Sequence, residues 1–372
     1  MPFAPGFDRT EALDLLNFCA IIEDGVAPPI PKDPPDGWTL VFPSPVIGPF
    51  DNRWQLWQRK ADGAFAVVVR GTTPKASSIL EDLVAVMIKG KGSLQVGGSQ
   101  LDYKFADDPQ ADVHLGFALG ALLLLEDPTD GILSRFKKNG IGAGAKVYVT
   151  GHSQGAAIAT LIRSYLHYAA DAPGQVAYKT YVYAQPKPGN DHYAEDFESR
   201  FCNSDLAFRV TNSLDWVPQV PFTIELLSDI NQPNILSILG HVAIPVEAKP
   251  LSALGSILAP LQSKLSAFGN ILEPLALLQK AGGAILGLAE ALGQSKMQSA
   301  AASLAKLGIA AKPASPLEAG KLVAPFALTL NYVNAATEIA LMGVPCVGDQ
   351  CKDGFFEHHA STYYGLLQAQ FP

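Results

Sequence analysis

Residues 146–155, with the sequence Lys-Val-Tyr-Val-Thr-Gly-His-Ser-Gln-Gly, limit the possible folds of this chain more than any other segment does. The β-branched run predicts a strand, and the Ala/Ile/Leu-rich residues 156–170 predict a helix directly after it. Between them lies a G-x-S-x-G turn, whose glycines leave room for neighbouring chain while Ser153 projects at the helix N-terminus. This predicts an exposed, strained serine at a sheet edge. Because so short a pattern also occurs by chance, its interpretation depends on the rest of the chain.

Strand-like and helix-like segments alternate on both sides of this turn. Residues 9–23 carry apolar side chains at helical spacing, and residues 54–59 and 64–70 are predicted to form a hairpin whose second strand is fully buried. Further short β-type runs, at 178–184 and 208–212, each end in a polar loop. This alternation predicts an α/β fold with a mostly parallel central sheet, with functional residues at the carboxyl ends of its strands.

The composition changes between residues 223 and 345. This segment is dominated by Ala, Leu, Gly, Ser and Pro, and its leucines recur every three to four residues. It predicts short amphipathic helices, inserted into a core formed by residues 1–222 and 346–372. No run of about 18 apolar residues occurs in it, so we expect no transmembrane span. The charged residues that interrupt its most apolar part are Lys264, Glu273, Lys280 and Glu290.

The overall charge argues against some classes of partner. The 372 residues include 27 Lys and Arg and 35 Asp and Glu, which gives a formal net charge of −8. Nucleic acid binding would require a basic stripe, and electrostatic docking on anionic lipid would require basic clusters. We therefore expect no nucleic acid partner, and we expect any contact with lipid to be hydrophobic.

The N-terminus and the cysteines leave the cellular location open. The chain does not open with a basic segment followed by an apolar one, so no signal peptide is expected, and either a cytoplasmic location or secretion without a visible signal is compatible. Cys346 and Cys351 could close a small disulfide loop in an oxidising compartment, and free thiols are equally compatible with the sequence. Since the spacing of Cys and His matches no metal site, no metal or cofactor is expected.

A serine nucleophile needs a histidine to accept its proton and a carboxylate to orient that histidine. On the hydrolase fold that carries a G-x-S-x-G turn, the three follow in the order Ser, Asp, His. The adjacent His358 and His359 are favoured, because they lie in a predicted loop that leads into a final helix. The other histidines after Ser153 are His167 in the predicted helix, His192 ahead of the carboxylate candidate, and His241 in the insertion.

Asp215 is the favoured carboxylate. It lies a few residues beyond the predicted strand 208–212, in a loop at the carboxyl edge of the sheet, where an acid could reach a histidine. Three other acids remain as rivals, and a solvated surface position is the simpler interpretation of each. These rivals are Asp191, Asp196 and Asp205.

Several segments, in order along the chain, resemble motifs of the class 3 lipases, the fungal-lipase-like branch of the α/β-hydrolases. The resemblance covers about residues 60–222 and the last twenty or so, roughly half of the chain. The matching segments are Val-Arg-Gly-Thr-Thr from Val69, Val-His-Leu-Gly-Phe from Val113, Val-Thr-Gly-His-Ser-Gln-Gly-Ala-Ala from Val149, Tyr-Ala-Gln-Pro-Lys-Pro-Gly-Asn from Tyr183, and Val-Thr-Asn-Ser-Leu-Asp-Trp-Val-Pro from Val210.

The resemblance implies an α/β-hydrolase fold and a role for particular residues. It implies Ser153 as nucleophile, Asp215 as the residue that orients the histidine, and His358 as that histidine, with His359 as the runner-up. It also implies an oxyanion hole formed by the backbone N–H of Gln154 and by the backbone N–H and hydroxyl of Thr72. His114 and His152 match family positions that are structural.

Two features depart from the family pattern. Gln154 replaces the commoner leucine beside the nucleophile, which alters the polarity of the pocket and leaves the backbone donor in place. The gap between Asp215 and His358 is also longer than the family usually needs, and the excess coincides with the apolar insertion.

These features predict a carboxylic ester hydrolase that forms an acyl-enzyme, most simply a triacylglycerol lipase. The insertion is interpreted as a helical lid over an apolar acyl pocket, which predicts transient contact with a lipid interface. Alternatively, the insertion is a structural subdomain or an oligomer interface. Phospholipase and non-lipid carboxylesterase, for example on plant cell-wall esters, are the alternative activities. From a different class, the chain could be an inactive hydrolase relative that serves as a binding module.

Overall fold

A computed structural model describes residues 3–48, 51–71, 87–96, 99–169, 171–221, 223, 326–327, 331–348 and 353–371. Within these ranges the helices are α1 (Arg9–Ile22), α2 (Leu115–Glu126), α3 (Ile132–Lys138), α4 (Gln154–Tyr168), α5 (Asp191–Phe201) and α6 (Ala360–Gln370). The strands are β1 (Trp38–Pro43), β2 (Trp54–Arg59), β3 (Phe65–Val69), β4 (Met87–Lys89), β5 (Lys91–Val96), β6 (Ser99–Lys104), β7 (Asp112–His114), β8 (Lys146–His152), β9 (Ala177–Tyr183), β10 (Ala207–Asn212), β11 (Phe326–Ala327) and β12 (Thr337–Leu341).

Seven of these strands form one sheet in the order β1-β2-β3-β8-β9-β10-β12. Strands β1, β2 and β3 pair antiparallel, and every pairing from β3 through β12 is parallel. The predicted α/β fold with a mostly parallel sheet is therefore confirmed. Parallel strands end at the same edge, so the residues that follow β3, β8 and β10 lie close together.

Helices cover the central strands because those strands are apolar on both faces. Phe18 of α1, Tyr148 of β8, Tyr181 of β9 and Leu367 of α6 belong to one buried cluster, so α1 and α6 cover one face of the sheet. Helices α2 and α4 pack against each other, and α4 packs against β8 and β9. Full burial of one such apolar side chain stabilises the fold by roughly 1.5–3 kcal/mol. This burial holds α1 on the sheet, although α1 is far in sequence from the strands that it covers.

Two smaller sheets flank the main one. Strand β4 lies between β11 and β7 and pairs antiparallel with both. Strands β5 and β6 form a separate antiparallel hairpin. Strand β7 runs directly into α2, and His114 at the junction caps the helix, because its Nδ1 accepts the backbone N–H of Gly116 over 3.1 Å. Burial lowers the pKa of His114 to about 3, which keeps the ring neutral and fits the structural position expected for it.

The elements predicted around the sheet are confirmed with small shifts in their ends. The N-terminal helix ends at Ile22, with Glu23 as its C-cap, and the hairpin pairs Trp54 with Val69. A short 3₁₀ turn, Phe356–His358, precedes the final helix, as the loop-then-helix prediction required. Within the described ranges, none of the helices combines the length and the hydropathy that crossing a bilayer requires.

The predicted insertion contains a strand of the core sheet. Strand β12 lies between residues 223 and 345, and it pairs in parallel with β10, with Phe208 opposite Thr337 and Asn212 opposite Leu341. By compactness the chain divides into Met1–Thr223 with Ala300–Pro372 as one unit and Ile224–Ser299 as a second. The second unit and its predicted helices lie outside the described residues. Strand β12 thus lies inside the range 223–345 that the sequence assigns to the insertion, and it extends the sheet of the core.

Candidate active site

The predicted strand-to-helix turn at Ser153 is present at the end of β8. Ser153 connects β8 to α4 and has φ 56° and ψ −133°, a conformation that residues with a side chain rarely adopt. Such backbone strain costs about 1–3 kcal/mol and persists only where the surrounding structure holds it. Here the Ser153 N–H donates to the carbonyl oxygen of Tyr183 in β9 over 3.0 Å. A strained serine between a parallel strand and a helix is the arrangement of the α/β-hydrolase fold.

The two glycines of the motif are required by close packing. A Cβ on Gly151 would overlap the carbonyl group of Gly155 and lie 2.9 Å from the backbone nitrogen of Ala156. A Cβ on Gly155 would overlap the carbonyl oxygen of Val69 and lie 2.8 Å from the carbonyl carbon of Arg70. The elbow therefore packs backbone to backbone against itself and against the end of β3. Any larger residue at either position would push Ser153 away from the sheet.

His358 lies between the serine and an acid. Its Nε2 is 2.8 Å from Ser153 Oγ, and its Nδ1 is 2.8 Å from Asp215 Oδ2. The histidine ends the 3₁₀ turn before α6, and the aspartate follows β10, so both come from the carboxyl edge of the sheet. Since the carboxylate can only accept, Nδ1 carries the proton and Nε2 is free to accept the hydroxyl proton of Ser153.

Asp215 is buried and fully engaged by hydrogen bonds. Its Oδ1 accepts the backbone N–H of Val217 over 3.0 Å, and its Oδ2 also accepts the hydroxyl of Tyr363 over 2.8 Å. Burial alone raises the pKa of Asp215, but the hydrogen bond from His358, with these other donors, lowers the pKa overall. The carboxylate therefore stays ionised and holds the His358 ring in one orientation.

The environment of His358 favours its neutral form. Burial lowers the pKa of His358 most, the Asp215 hydrogen bond opposes this, and the nearby His152 lowers the pKa further. The net shift is downward, so the imidazole is available as a base at neutral pH.

The other predicted candidates lie elsewhere. His359 is exposed and pairs with Asp353, its Nε2 lying 2.6 Å from the carboxylate. His192 lies 3.3 Å from Asp108, and His167 lies in α4 with its ring against Phe201. His241 lies outside the described residues.

The rival acids also have other partners or positions. Asp191 is the first residue of α5, where its Oδ1 accepts the backbone N–H of His192. Asp196 accepts hydrogen bonds from Tyr168 and from the backbone of Asp107, and Asp205 lies in the turn before β10 with a positive φ of 53°. Among the acids considered from the sequence, Asp215 is the one that the described residues show against His358.

One of the two predicted oxyanion donors lies within the described residues. Gln154 is the first residue of α4 and directly follows Ser153, so its backbone N–H belongs to the first turn of the helix. Its side chain is buried. Thr72, the second predicted donor, lies outside the described residues, and Gly71 is the last described residue before it.

A second histidine, His152, packs against His358 and bonds its backbone. His152 is buried directly before Ser153, and its ring lies 4.8 Å from the ring of His358. Its Nε2 is 2.8 Å from the carbonyl oxygen of His358, and its Nδ1 is 3.1 Å from Oε2 of Glu23. The resemblance of the motif around Ser153 indicates a structural role for His152. Sequence reasoning missed Glu23, because it lies 129 residues from His152 and belongs to no motif.

Apolar side chains are exposed to solvent next to Asp215 and His358. Leu214 and Trp216, which flank Asp215, are 43% and 45% exposed, and Phe355 is 49% exposed. The Trp216 and Phe355 rings lie 5.3 Å apart, and the Phe355 ring lies 6.1 Å from the His358 ring. We call these three residues the apolar rim. Further exposed apolar residues follow β12, namely Met342, Val344 and Val347.

Among the described cysteines, one is oxidised. Cys346 takes part in a disulfide, whereas Cys19 and Cys202 are free thiols. Cys351, the partner considered from the sequence, lies outside the described residues.

The model of the class 3 lipases matches residues 66–225 of this chain. The solved Rhizomucor miehei triacylglyceride lipase is 17% identical, covers 59% of this chain and 77% of its own, and has a TM-score of 0.40. Lipase II from Rhizopus niveus is 20% identical, covers 57% and 74%, and has a TM-score of 0.40. M37 lipase is 19% identical, covers 65% and 74%, and has a TM-score of 0.42. Among curated proteins, none matches the chain in sequence.

Proposed function

We propose that this chain, a member of the class 3 lipase family, hydrolyses acylglycerol esters with Ser153 as nucleophile, His358 as general base and Asp215 as the residue that orients it. The observation that carries the proposal is the position of His358, 2.8 Å from both Ser153 Oγ and Asp215 Oδ2. Both distances are within hydrogen-bond range, and the strained backbone of Ser153 projects its hydroxyl from the sheet.

In the first half of the reaction, Ser153 Oγ attacks the ester carbonyl carbon while its proton moves to His358 Nε2. The resulting imidazolium is stabilised by the Asp215 carboxylate at Nδ1. The developing negative charge on the carbonyl oxygen is stabilised by the backbone N–H of Gln154, with Thr72 proposed as the second donor. Removing one such donor typically costs about 2.7–4 kcal/mol of transition-state stabilisation.

In the second half, His358 returns the proton and water completes the hydrolysis. The imidazolium protonates the leaving alkoxide, which departs as the alcohol and leaves the acyl group on Ser153. Water then loses a proton to Nε2 and attacks the acyl carbonyl, and the acid leaves as Ser153 regains its proton. The downward shift in the pKa of His358 keeps its base form available for both steps.

The apolar rim supports a lipid ester over a small polar one. Leu214, Trp216 and Phe355 are each more than two-fifths exposed, and the last two are in ring contact next to His358. Large apolar side chains at the mouth of a site cost free energy in water and gain it when they cover an acyl chain or enter a lipid surface. A site for a short polar ester has no need of them.

The insertion completes the proposal as a helical lid. Its Ala- and Leu-rich sequence predicts amphipathic helices, which can cover an apolar pocket in water and open at a lipid surface. The contact with the interface is proposed to be transient.

The experiment that tests this function is an acyl-chain series with two matched variants. Wild type, Ser153→Ala and His359→Ala are assayed on emulsified glycerides, on phospholipids and on water-soluble short esters, and labelled with a fluorophosphonate probe. We expect labelling of wild type and of His359→Ala, no labelling of Ser153→Ala, and activity on glycerides that rises above their solubility limit.

Each other outcome points to a specific alternative. Faster cleavage of soluble short esters than of any emulsified ester would leave a plain carboxylesterase, and faster cleavage of phospholipids would leave a phospholipase. A folded wild-type chain that the probe does not label would contradict the enzyme and favour a binding module.

A further inference from the structure

The carboxylate of Glu23 joins two parts of the molecule that meet behind the active site. Glu23 caps the C-terminal end of α1 and is 17% exposed at its side chain. Its Oε1 accepts the backbone N–H of Gly71 over 3.1 Å, and its Oε2 lies 3.1 Å from Nδ1 of His152. The fit is tight, because a Cβ on Gly71 would lie 2.5 Å from Glu23 Oε1. One side chain thus bonds the segment after β3 and the residue before Ser153.

The partners of His152 determine its protonation. Nε2 lies 2.8 Å from the backbone carbonyl of His358, and a carbonyl oxygen can only accept. Nδ1 faces the Glu23 carboxylate, which when ionised also only accepts. Both ring nitrogens therefore donate, which requires an imidazolium. Burial lowers the pKa of His152, but the charge and hydrogen bond of Glu23 outweigh it, and the net shift is upward.

The charged and titratable groups around this imidazolium come from four elements. Glu23 of α1 is in direct contact, and Asp215 beyond β10 adds attraction from further away. The His358 ring lies 4.8 Å away, and the Tyr363 ring of α6 lies 6.0 Å away, edge to face. The charge of His152 opposes the protonation of His358 and lowers its pKa.

We propose that Glu23 is a positioning residue of the active site, which holds the backbone of His358 through His152 and holds Gly71, the residue before the proposed oxyanion donor Thr72, with the same carboxylate. The proposal rests on the proposed function of Ser153 and His358. Glu23 acts through its contacts with His152 and Gly71 and takes no part in the proposed chemistry. It links the backbone of His358, through His152, to Gly71, since one carboxylate at the C-terminal end of α1 bonds both His152 and Gly71.

Three variants separate this role from a general contribution to folding. Glu23→Ala removes both bonds. Glu23→Gln can keep them, because its amide oxygen accepts from Gly71 and its amide nitrogen donates to Nδ1 of a neutral His152. Glu11→Ala is the matched control, because Glu11 lies in the same helix, is 18% exposed, and bonds Tyr148, Tyr181 and Lys179 at the end of α1 remote from Glu23.

The readouts are kcat and KM on a soluble ester, the rate of fluorophosphonate labelling, and the apparent Tm. We expect Glu23→Ala to lower kcat and the labelling rate on the order of tenfold to a hundredfold with KM nearly unchanged, since small displacements of reacting groups cost this much. Glu23→Gln should retain kcat to within about threefold. Glu11→Ala should lower the apparent Tm while the folded protein keeps its kcat.

Histidine ¹⁵N NMR of the full chain adds a readout that needs no turnover. We expect both ring nitrogens of His152 to be protonated at neutral pH in wild type and only one in Glu23→Gln. A neutral His152 in wild type would overturn the proposal, as would a folded Glu23→Ala variant that is labelled at the wild-type rate. A wild-type chain that is not labelled at Ser153 would instead overturn the proposed function, and the positioning role with it.

Discussion

The hydrogen bonds of Asp215 determine which ring nitrogen of His358 lies against Ser153. The carboxylate accepts from Val217, Tyr363 and His358, so it cannot rotate without losing donors. This places the Nδ1 proton and leaves Nε2 for the serine. The sequence points to Ser153 and Asp215 as candidates, since both follow strands in a recognisable local pattern, and each lies 2.8 Å from a ring nitrogen of His358.

The choice between His358 and His359 could not be made with the same certainty from the sequence. Adjacent histidines in a loop have the same chemistry, and only the 3₁₀ turn and the start of α6 send one ring inward and the other outward. Glu23 is harder still to find, because its contact with His152 spans 129 residues and depends on how α1 packs. Contacts of this kind have no local signal in a sequence.

The two histidines should respond very differently to substitution. We expect His358→Ala to abolish measurable turnover, because Ser153 then has no base and the Asp215 carboxylate has lost a donor. His359→Ala should keep most of the activity, since that ring is half exposed and pairs only with Asp353 among the described contacts. Initial rates on a soluble ester, with circular dichroism to establish folding, make the comparison. An inactive, folded His359→Ala variant alongside an active His358→Ala variant would reverse the assignment.

The acid limb of the pH profile should lie below the ordinary histidine pKa of about 6.5. The base form of His358 is required, and burial together with the His152 charge lowers the pKa of His358. Activity should therefore persist as the pH falls to about 6.5 and be lost only as it passes through the lowered pKa. The measurement is kcat/KM for a soluble ester across the pH range over which the protein stays folded. An acid limb centred above the ordinary value in both wild type and His359→Ala would contradict this assignment.

At the scale of elements, the site depends on where three strands of one sheet end. Strands β3 and β8 are parallel neighbours, and β9 separates β8 from β10. Gly71, Ser153 and Asp215 follow the ends of β3, β8 and β10. The sequence predicts these strands well, because buried β-branched runs are unmistakable. It does not predict β12, an edge strand with the sequence Thr-Glu-Ile-Ala-Leu that is only partly buried. Half-exposed edge strands carry few apolar residues, so β12 could not be told from the surrounding insertion.

Alanine at the elbow glycines should disrupt the strand-to-helix turn. In Gly155→Ala the new Cβ would overlap the backbone of β3, and in Gly151→Ala it would overlap Gly155 itself. We expect each variant to lose about 1–3 kcal/mol or more in the free energy of unfolding, because rigid backbone must move to relieve the overlap. Urea unfolding midpoints measure the loss.

Gly142→Ala is the matched control for this effect. A Cβ at Gly142 would meet no atom within 4 Å, and Gly142 is not among the glycines with positive φ. Its stability should therefore change by less than about 0.5 kcal/mol. Equal losses at Gly142 and Gly155 would show that close packing at the elbow is not the reason for its glycines.

At the scale of the whole molecule, the net charge and the apolar rim favour one mode for the proposed contact with lipid. The net charge of −8 repels anionic headgroups, whereas Leu214, Trp216 and Phe355 offer apolar surface next to the proposed triad. Attraction to lipid should therefore come from apolar burial, which salt does not screen. The substrate would then reach Ser153 from the same face of the protein that contacts the lipid surface.

The interface preference can be tested with Ser153→Ala, which lacks the proposed nucleophile and therefore separates binding from turnover. We expect more of this variant to co-sediment with zwitterionic vesicles than with vesicles that contain phosphatidylserine. High salt should reduce the difference, because the Debye length falls from about 10 Å at 0.1 M to about 3 Å at 1 M. Adding Trp216→Ser and Phe355→Ser to this variant should weaken its binding to both kinds of vesicle. Met342→Ser, at an exposed position after β12, is the control that tests whether the loss of binding is confined to the apolar rim. Stronger binding to anionic vesicles that disappears in high salt would show that local positive charge, rather than apolar surface, brings this protein to lipid.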